Sequence, residues 1–212
     1  MSATPPVPTR TLILDASIRL MQHRGYRAVG MREIAEQVQI KAASLYHHFP
    51  SKEMLAAEAM AHYGEMQRER LQALSSRPRM EARLTGYAEL FGGMLADGPR
   101  LCLYSVLAEA HSALTSPCVE ALERFSAQNV QWLHATLEEG FRLQGLPTGS
   151  AAARELAELI FGAFEGYMVL AMVDAAPPKA FRKRALALLR LLVPHLMATV
   201  SPPSGRKPVS PR

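Results

Sequence analysis

Two neighbouring histidines lie in the stretch SLYHHFPSKEML, which runs from residue 44 to residue 55. Tyr46 precedes His47 and His48, and Lys52 follows them closely. Imidazole nitrogens can bind a metal ion, whereas a tyrosine hydroxyl, a ring N–H and a lysine ammonium can all donate to phosphate oxygens. Because consecutive residues of a helix point about 100° apart, the two histidines chelate one ion poorly. The stretch therefore favours phosphate contact and predicts no metal site.

The composition narrows the class of protein. The chain has 212 residues, 49% of them hydrophobic, and a net charge of +5. This length allows one or two domains with a sizeable core, and the positive surplus favours an anionic partner. The polar, proline-rich start lacks the pattern of a signal peptide, and the apolar runs are too short to span a bilayer. We expect a cytoplasmic protein with no membrane partner.

Helical patterns fill the chain between two proline-rich ends, and no alternating strand pattern occurs. We therefore predict an all-α fold with nine helices. Thr9 and Ser51 are the predicted N-caps of the first and fourth helices. The predicted bounds are 9–24, 31–38, 42–49, 52–74, 80–97, 100–112, 117–144, 150–173 and 178–199.

Two short helices joined by a turn over 39–41 follow a longer first helix, which is the order of a helix-turn-helix unit. Leu45 and Phe49 are four residues apart, so they share one buried face. The other faces of this second short helix then carry Ser44, Tyr46 and His47. In a helix-turn-helix unit this is the helix expected in the major groove of double-stranded DNA.

The stretch ILDASIRLMQHRGYRAVGMREIAEQVQIKAASLYHHFPSKEML closely resembles the DNA-binding domain of the TetR/AcrR family of transcriptional regulators. The elements ILDA, GY, REIAE, SLYHHF and SKE stand at the family's spacing. The resemblance implies a TetR-like fold of nine or ten helices and a homodimer. It also implies a repressor that a small-molecule effector releases from a palindromic operator. The expected organisation is a disordered arm over 1–8, a helix-turn-helix DNA-binding domain over 9–58 with its motif at about 31–49, a ligand-binding and dimerisation domain over 59–200, and a disordered tail over 201–212.

Position by position, the resemblance assigns roles within the first domain. It implies contacts to the DNA backbone from Arg32, Tyr46, His48 and Lys52. The variable positions that read the operator sequence are Lys41, Ala42, Ser44 and His47.

This chain departs from the family's pattern in the turn and at the start of the third helix. Gln39 stands where the family often has glycine, and Ala42 and Ala43 cannot hydrogen-bond a base edge. Direct readout is then expected from the neighbouring polar residues, with Ala42 touching a thymine methyl. A helical interaction protein that has lost specific DNA binding stays open as an alternative.

Helices eight and nine carry candidate dimer contacts. Leu159, Gly162, Gly166 and Val169 recur at helical spacing, and small residues let helices approach closely. The partner stripe on helix nine consists of Leu189, Leu192, Val193 and Leu196. Two such helices from each subunit would build a four-helix bundle about a two-fold axis, although the same stripes also fit an intrachain core.

A ligand pocket is expected between helices five and eight, because methionine and aromatic side chains suit an adaptable apolar site. Glu109, His111 and Glu165 are the polar candidates, and a buried carboxylate there favours a cationic or hydrogen-bonding ligand, an argument that exposure would remove. No other cofactor is expected. The candidate lining residues are Tyr87, Phe91, Met94, Cys102, Tyr104, His111, Trp132, Phe164, Tyr167 and Met168.

The sequence also bears on two other functions, a redox sensor and an enzyme. Cys118 lies at a predicted helix N-terminus, where the dipole favours a thiolate, so a thiol-based redox sensor that uses Cys118 or Cys102 is an alternative. An enzyme is not expected, because the sequence shows no nucleophile–base spacing, no phosphate-binding glycine loop and no metal cluster.

Overall fold

The computed structural model describes residues 7–96, 98, 100–146, 149 and 151–193, and every regular element within them is helical. This confirms the predicted all-α, nine-helix class. A short 3₁₀ turn at His111–Ala113 follows α6. The helices are α1 (Thr9–Arg24), α2 (Met31–Val38), α3 (Ala42–His48), α4 (Lys52–Ser75), α5 (Met80–Ala96), α6 (Leu103–Glu109), α7 (Ser116–Leu143), α8 (Ala151–Ala171) and α9 (Pro177–Leu192).

Helices α1 to α3 form a small unit around a shared apolar centre. Ile13 and Met21 from α1, Ile34 from α2 and Leu45 from α3 have no exposed surface, and neither has Phe49 just after α3. Ile13 and Met21 are eight residues apart and Leu45 and Phe49 are four apart, so each pair lies on one apolar face. The unit orients α3 because its inward face is fixed by Leu45 and Phe49.

The ends of the first four helices follow from local chemistry. Ser51 caps α4 as predicted, with its hydroxyl oxygen accepting from the Met54 amide at 3.2 Å. Gly25 ends α1 at φ 84°. The prediction for Thr9 was wrong by one residue, since Pro8 is the N-cap and no side chain caps α1. Phe49 likewise stands just outside α3 in extended backbone, the conformation that the following Pro50 favours.

Helix α4 joins this unit to the rest of the chain. At 1.5 Å per residue, its 24 residues extend about 36 Å. Leu55, Ala56 and Ala59 are fully buried near its start, and Leu71 is buried near its end. Its first turns pack on α1, whereas most of its length packs on α7. Helices α5, α7, α8 and α9 pack together to complete the second part.

Most of the later helices differ by one or two residues from their predicted bounds, and α6 and α9 differ most. Helix α6 is shorter than the predicted 100–112 and passes into the 3₁₀ turn at His111. Helix α9 starts one residue earlier than predicted, and Val193 is its C-cap. The predicted continuation to residue 199 lies outside the described residues, as do residues 1–6 of the predicted N-terminal arm and the predicted tail over 201–212.

The turn between α2 and α3 contains a strained residue. Gln39 caps α2 at φ 61° and ψ 40°, and within the described chain it is the residue other than glycine with positive φ. This left-handed conformation costs an L-residue roughly 1–2 kcal/mol, which glycine avoids. The family's common glycine at this place thus has a physical reason here.

Gln39→Gly is expected to raise the free energy of unfolding by about 0.5 kcal/mol, because relief of strain exceeds the entropy that glycine gains in the unfolded chain. Urea denaturation of the two proteins measures the difference. Gln37→Gly, at an exposed helical position of α2, is the matched control and should lower stability by about 0.5–1 kcal/mol. Equal losses in both variants would contradict the assignment of strain to Gln39.

Candidate nucleic-acid interface and effector site

Helix α3 presents its polar residues to solvent. Lys41, Ser44 and His47 are exposed, and Tyr46 keeps 46% of its surface accessible. Ala42, and likewise His48, is half-buried. The predicted base-reading positions therefore share an accessible surface, while Leu45 holds the opposite face inside the core.

Arg10 fastens the end of α3 to its neighbours. Its guanidinium donates to the His48 carbonyl oxygen at 3.2 Å and forms an ion pair with Glu58 of α4. The guanidinium carbon also lies 4.5 Å from the centre of the Phe49 ring. The sequence analysis did not identify Arg10, because its partners His48 and Glu58 are 38 and 48 positions away and no local pattern indicates them.

Lys52 opens α4 but does not stand free in solvent. Its ammonium lies 4.3 Å from the centre of the Tyr26 ring and 3.4 Å from the Arg27 carbonyl oxygen. Partial burial lowers the pKa of Lys52. The side chain thus braces the segment between α1 and α2 and places a positive charge at the α4 N-terminus, where backbone N–H groups also favour an anion.

Arg32, the second residue of α2, is exposed. Arg32 and Lys41 are exposed cations of this unit and Lys52 is a half-buried one, and all three can face a polyanion. Among the described residues, no group of three or more His, Cys, Asp or Glu side chains is placed to hold a metal ion.

Aromatic rings fill the place where the effector pocket was predicted. Tyr87 stacks on Trp132 at 5.4 Å and on Phe164 at 5.6 Å, and Phe91 packs against Tyr87 at 5.2 Å. Tyr87, Phe91, Cys102, Phe164 and Met168 are fully or almost fully buried. In this conformation these residues are core, so a ligand must displace rings to reach them.

The other predicted lining residues are distributed around that core. Met94, Tyr104, Trp132 and Tyr167 are half-buried and pack against it. His111 was placed wrongly, because the 3₁₀ turn carries it on the exposed surface. Glu109 is exposed as well, which removes the argument for it as a ligand contact.

Glu165 on α8 is the buried carboxylate. Only 7% of the residue is accessible, and Oε2 accepts from the Ser105 hydroxyl at 2.6 Å. The buried Oε1 has no hydrogen-bond partner. Burial raises the pKa of Glu165 to about 7, although the hydrogen bonds from Ser105 and Cys102 oppose the shift. The sequence marked this residue only as a charge in an apolar run.

A buried amide pair lies beside this region and links three helices. The amides of Gln67 on α4 and Asn129 on α7 meet at 3.0 Å, and the Tyr87 hydroxyl donates to the same Asn129 oxygen at 3.0 Å. Sequence reasoning missed both amides, since a lone Gln or Asn on an amphipathic helix carries no signal of burial.

Two cavities approach the core. An apolar groove of about 410 Å³ runs between α4 and α7, with Leu71 and Trp132 in its wall. A cleft of about 240 Å³ lies between α1 and α4, with Tyr63 and Met94 in its wall and arginines at positions 19, 70 and 100 around it.

Both cysteines are buried. Burial raises the pKa of Cys118 to about 11 and that of Cys102 well above its usual value. The expectation that the helix dipole makes Cys118 a thiolate was wrong, because the thiol is enclosed and desolvation outweighs the dipole. Neither thiol has the access or the lowered pKa that a redox sensor requires.

The predicted dimer face is partly open. On α8, Leu159 is 49% and Val169 51% exposed, and a Cβ added at Gly162 or Gly166 would meet nothing within 4 Å. The predictions for two α9 residues were wrong: Leu189 and Val193 are buried within this chain, because their side chains complete its core. Leu192 is half-buried, and Leu196 lies outside the described residues.

The exposed α3 seated on α1 and α2 defines a helix-turn-helix domain attached to a larger helical domain. Residues 13–59 match the family model for bacterial regulatory proteins of the tetR family. The match covers the helix-turn-helix segment, which is therefore similar to the corresponding segment of TetR-family transcriptional regulators.

Two curated relatives share this segment. The HTH-type transcriptional repressor KstR2 of Rhodococcus jostii is 37% identical over 81 residues, which are 36% of this chain and 40% of that protein. The repressor KstR of the same organism is 44% identical over 52 residues, 24% of either chain. The matches thus span less than half of these relatives.

Solved structures extend the likeness to most of the chain. A TetR-family regulator from Agrobacterium tumefaciens is 28% identical with a TM-score of 0.75, over 86% of this chain and 96% of that one. A TetR regulator from Legionella pneumophila has a TM-score of 0.77 at 22% identity, over 87% and 98%. In the described part of this chain, no helix is both long and apolar enough to span a membrane.

The buried carboxylate predicts a pH-dependent stability. The folded state raises the pKa of Glu165 from 4.5 to about 7, so between these values the native chain keeps a proton that the unfolded chain loses. The contribution of Glu165 to stability is therefore lost as pH rises through this window. Relative to the native chain, Glu165→Gln is expected to gain roughly 2–3 kcal/mol of unfolding free energy between pH 4.5 and pH 8.

Urea denaturation at the two pH values measures this gain. Glu109→Gln, an exposed glutamate of α6, is the matched control and should show no such pH-dependent gain. A Glu165→Gln difference that stays constant with pH would mean that the folded state does not raise the pKa of Glu165.

Proposed function

We propose that this chain is a ligand-responsive DNA-binding transcriptional regulator, most simply a repressor that leaves a palindromic operator when a small molecule binds its C-terminal domain. The observation that carries the proposal is the accessible row Lys41, Ser44 and His47 on a helix whose other face is locked into a core. The two repressors from Rhodococcus jostii that share this segment support it. The proposed place of action is the cytoplasm.

Each side chain has a role that its position allows. Lys41, Ser44 and His47 would meet base edges in the major groove, with Ala42 against a thymine methyl. Backbone phosphates would be contacted by Arg32, Tyr46, His48 and Lys52.

A palindromic operator requires two copies of α3 related by a two-fold axis. In a dimer the two reading helices would lie about one DNA turn apart, about 34–36 Å. The exposed face of α8 around Gly162 and Gly166 supports this assembly, since close helix approach there meets no side chain of the same chain.

The proposed response is a shift between two conformations. A ligand that displaces the packed rings would push on α4, whose far end begins at Lys52 beside the reading helix. A small rotation of α4 would change the spacing of the two reading helices, and operator affinity would fall.

Selection of genomic DNA fragments by the purified protein at physiological salt tests the proposal. One enriched palindrome is the expected result. No enrichment by a folded dimer, in the absence of any added effector, would contradict a ligand-released repressor and favour an interaction protein that no longer reads DNA.

Removal of one phosphate contact should change the salt dependence of operator binding. Arg32→Ala is expected to reduce the slope of log K against log salt by about one, because one fewer counterion is released. Lys183→Ala removes the same charge from an exposed site on α9 and should leave the slope unchanged. Fluorescence anisotropy across a salt series measures both, and equal slopes in the two variants would refute the contact.

The α8 face predicts how the chain assembles. Gly162→Arg should convert a dimer to a monomer, because a long charged side chain would stand in the helix contact while meeting nothing in its own chain. Gly93→Arg places the same residue at an exposed helical glycine of α5 with equally open space, and should leave the dimer intact. Light scattering after size-exclusion chromatography distinguishes them, and a dimeric Gly162→Arg protein would exclude this face.

A further inference from the structure

Burial of the Glu165 carboxylate lowers the stability of the fold, and no ion pair of the described residues offsets this cost. A carboxylate removed from water is costly unless a cation or several donors compensate it. No basic side chain of the described residues pairs with Glu165, and Oε1 is buried without a hydrogen-bond partner. An apolar residue would fill the site at lower cost. A buried charged group that lowers stability in this way has the properties of a functional residue.

The surroundings of Glu165 are aromatic. The Tyr63 hydroxyl lies 3.7 Å from the Cys102 sulfur, and that thiol is also a hydrogen-bond donor to Glu165. Tyr63 stacks on Phe125 at 5.4 Å. Burial, and after it the negative charge of Glu165, raises the pKa of the buried Tyr87 hydroxyl. A buried carboxylate with aromatic residues beyond its hydrogen-bond partners can bind an organic cation by charge, and a ring that turns its face to the cation adds cation–π attraction.

We propose that Glu165 is the recognition group for the effector, and that the effector is an organic cation with an apolar body. Its charged end would pair with the buried Oε1, and its apolar part would replace packing contacts among the rings. This inference rests on the proposed ligand response and names the chemical class of that ligand.

The groove between α4 and α7 offers the route. Trp132 stands in its wall, stacks on Tyr87 and donates to the Ser75 hydroxyl at 2.8 Å, so rotation of the indole would break these contacts and open the groove toward the aromatic core. The groove is apolar, and its one lining arginine, Arg68, is paired with Glu65. The cleft beside α1 is a poorer entrance for a cation, because three arginines and one carboxylate, Asp15, line it.

Occupation of this site would act directly on α4. Tyr63 belongs to α4, and its hydroxyl meets the Met94 sulfur at 3.1 Å and the Cys102 sulfur. The charged end of a ligand bound to Glu165 would displace the Cys102 thiol, and this would weaken the contacts of the Tyr63 hydroxyl with the Cys102 and Met94 sulfur atoms. The reading helix α3 precedes the other end of α4, so ligand and operator binding would both depend on the position of α4.

Isothermal titration of two probes tests the proposal at pH 8. The probes are 4-phenylbutylammonium and 4-phenylbutan-1-ol, which have the same apolar body and differ in charge. The native protein is expected to bind the ammonium at least tenfold more tightly than the alcohol, and Glu165→Gln to bind both about equally. No preference in the native protein, or a preference that survives in Glu165→Gln, would overturn it.

Two controls separate this inference from the proposed function. Glu109→Gln, exposed on α6, should keep the full preference for the ammonium, and a loss there would indicate general surface charge. Operator binding measured without a probe tests the regulator itself. Operator binding without any preference for the ammonium would overturn the cation alone, whereas a Glu165-dependent preference with no effect on operator affinity would overturn the proposed release.

Discussion

Helix α4 is the constraint on which the molecule depends, because it is packed into two cores at once. Leu55, Ala56 and Ala59 are sealed against the helix-turn-helix unit, whereas Tyr63, Gln67 and Leu71 are sealed among α5, α6 and α7. Dense packing makes such a helix move as a unit. Its continuity means that neither part of the molecule can change its packing on α4 without consequences for the other.

Two buried polar groups on α4 and its neighbours differ in how completely their hydrogen bonds are satisfied. Gln67 and Asn129 form a satisfied pair that specifies one alignment of α4 and α7. Glu165, by contrast, is only partly satisfied and is desolvated. The Gln67–Asn129 pair fixes the arrangement of α4 and α7. The Glu165 carboxylate, by contrast, would be stabilised by a ligand of opposite charge. Stability is thereby lowered at the place where the proposed effector would bind.

The sequence predicted the local features well and the long-range ones poorly. The Ser51 cap, the bounds of α2 and the buried pair Leu45 and Phe49 depend on neighbours in the chain, and they are as expected. Arg10 binding to His48 and the burial of Leu189 depend on how distant helices meet, which periodicity does not encode. Cys118 shows the same limit, because its helix position was right while its enclosure reversed the expected shift of its pKa.

The central claim is that the effector site and the reading helices share α4, and a distance measurement tests it most directly. Nitroxide labels on a cysteine placed at exposed Gln37 would report the separation of the two helix-turn-helix units in the dimer, since both native cysteines are buried. Pulsed electron paramagnetic resonance with and without saturating 4-phenylbutylammonium gives the two distributions. The account predicts a shift of the main distance when the cation binds, and an unchanged distribution with the cation bound would contradict it.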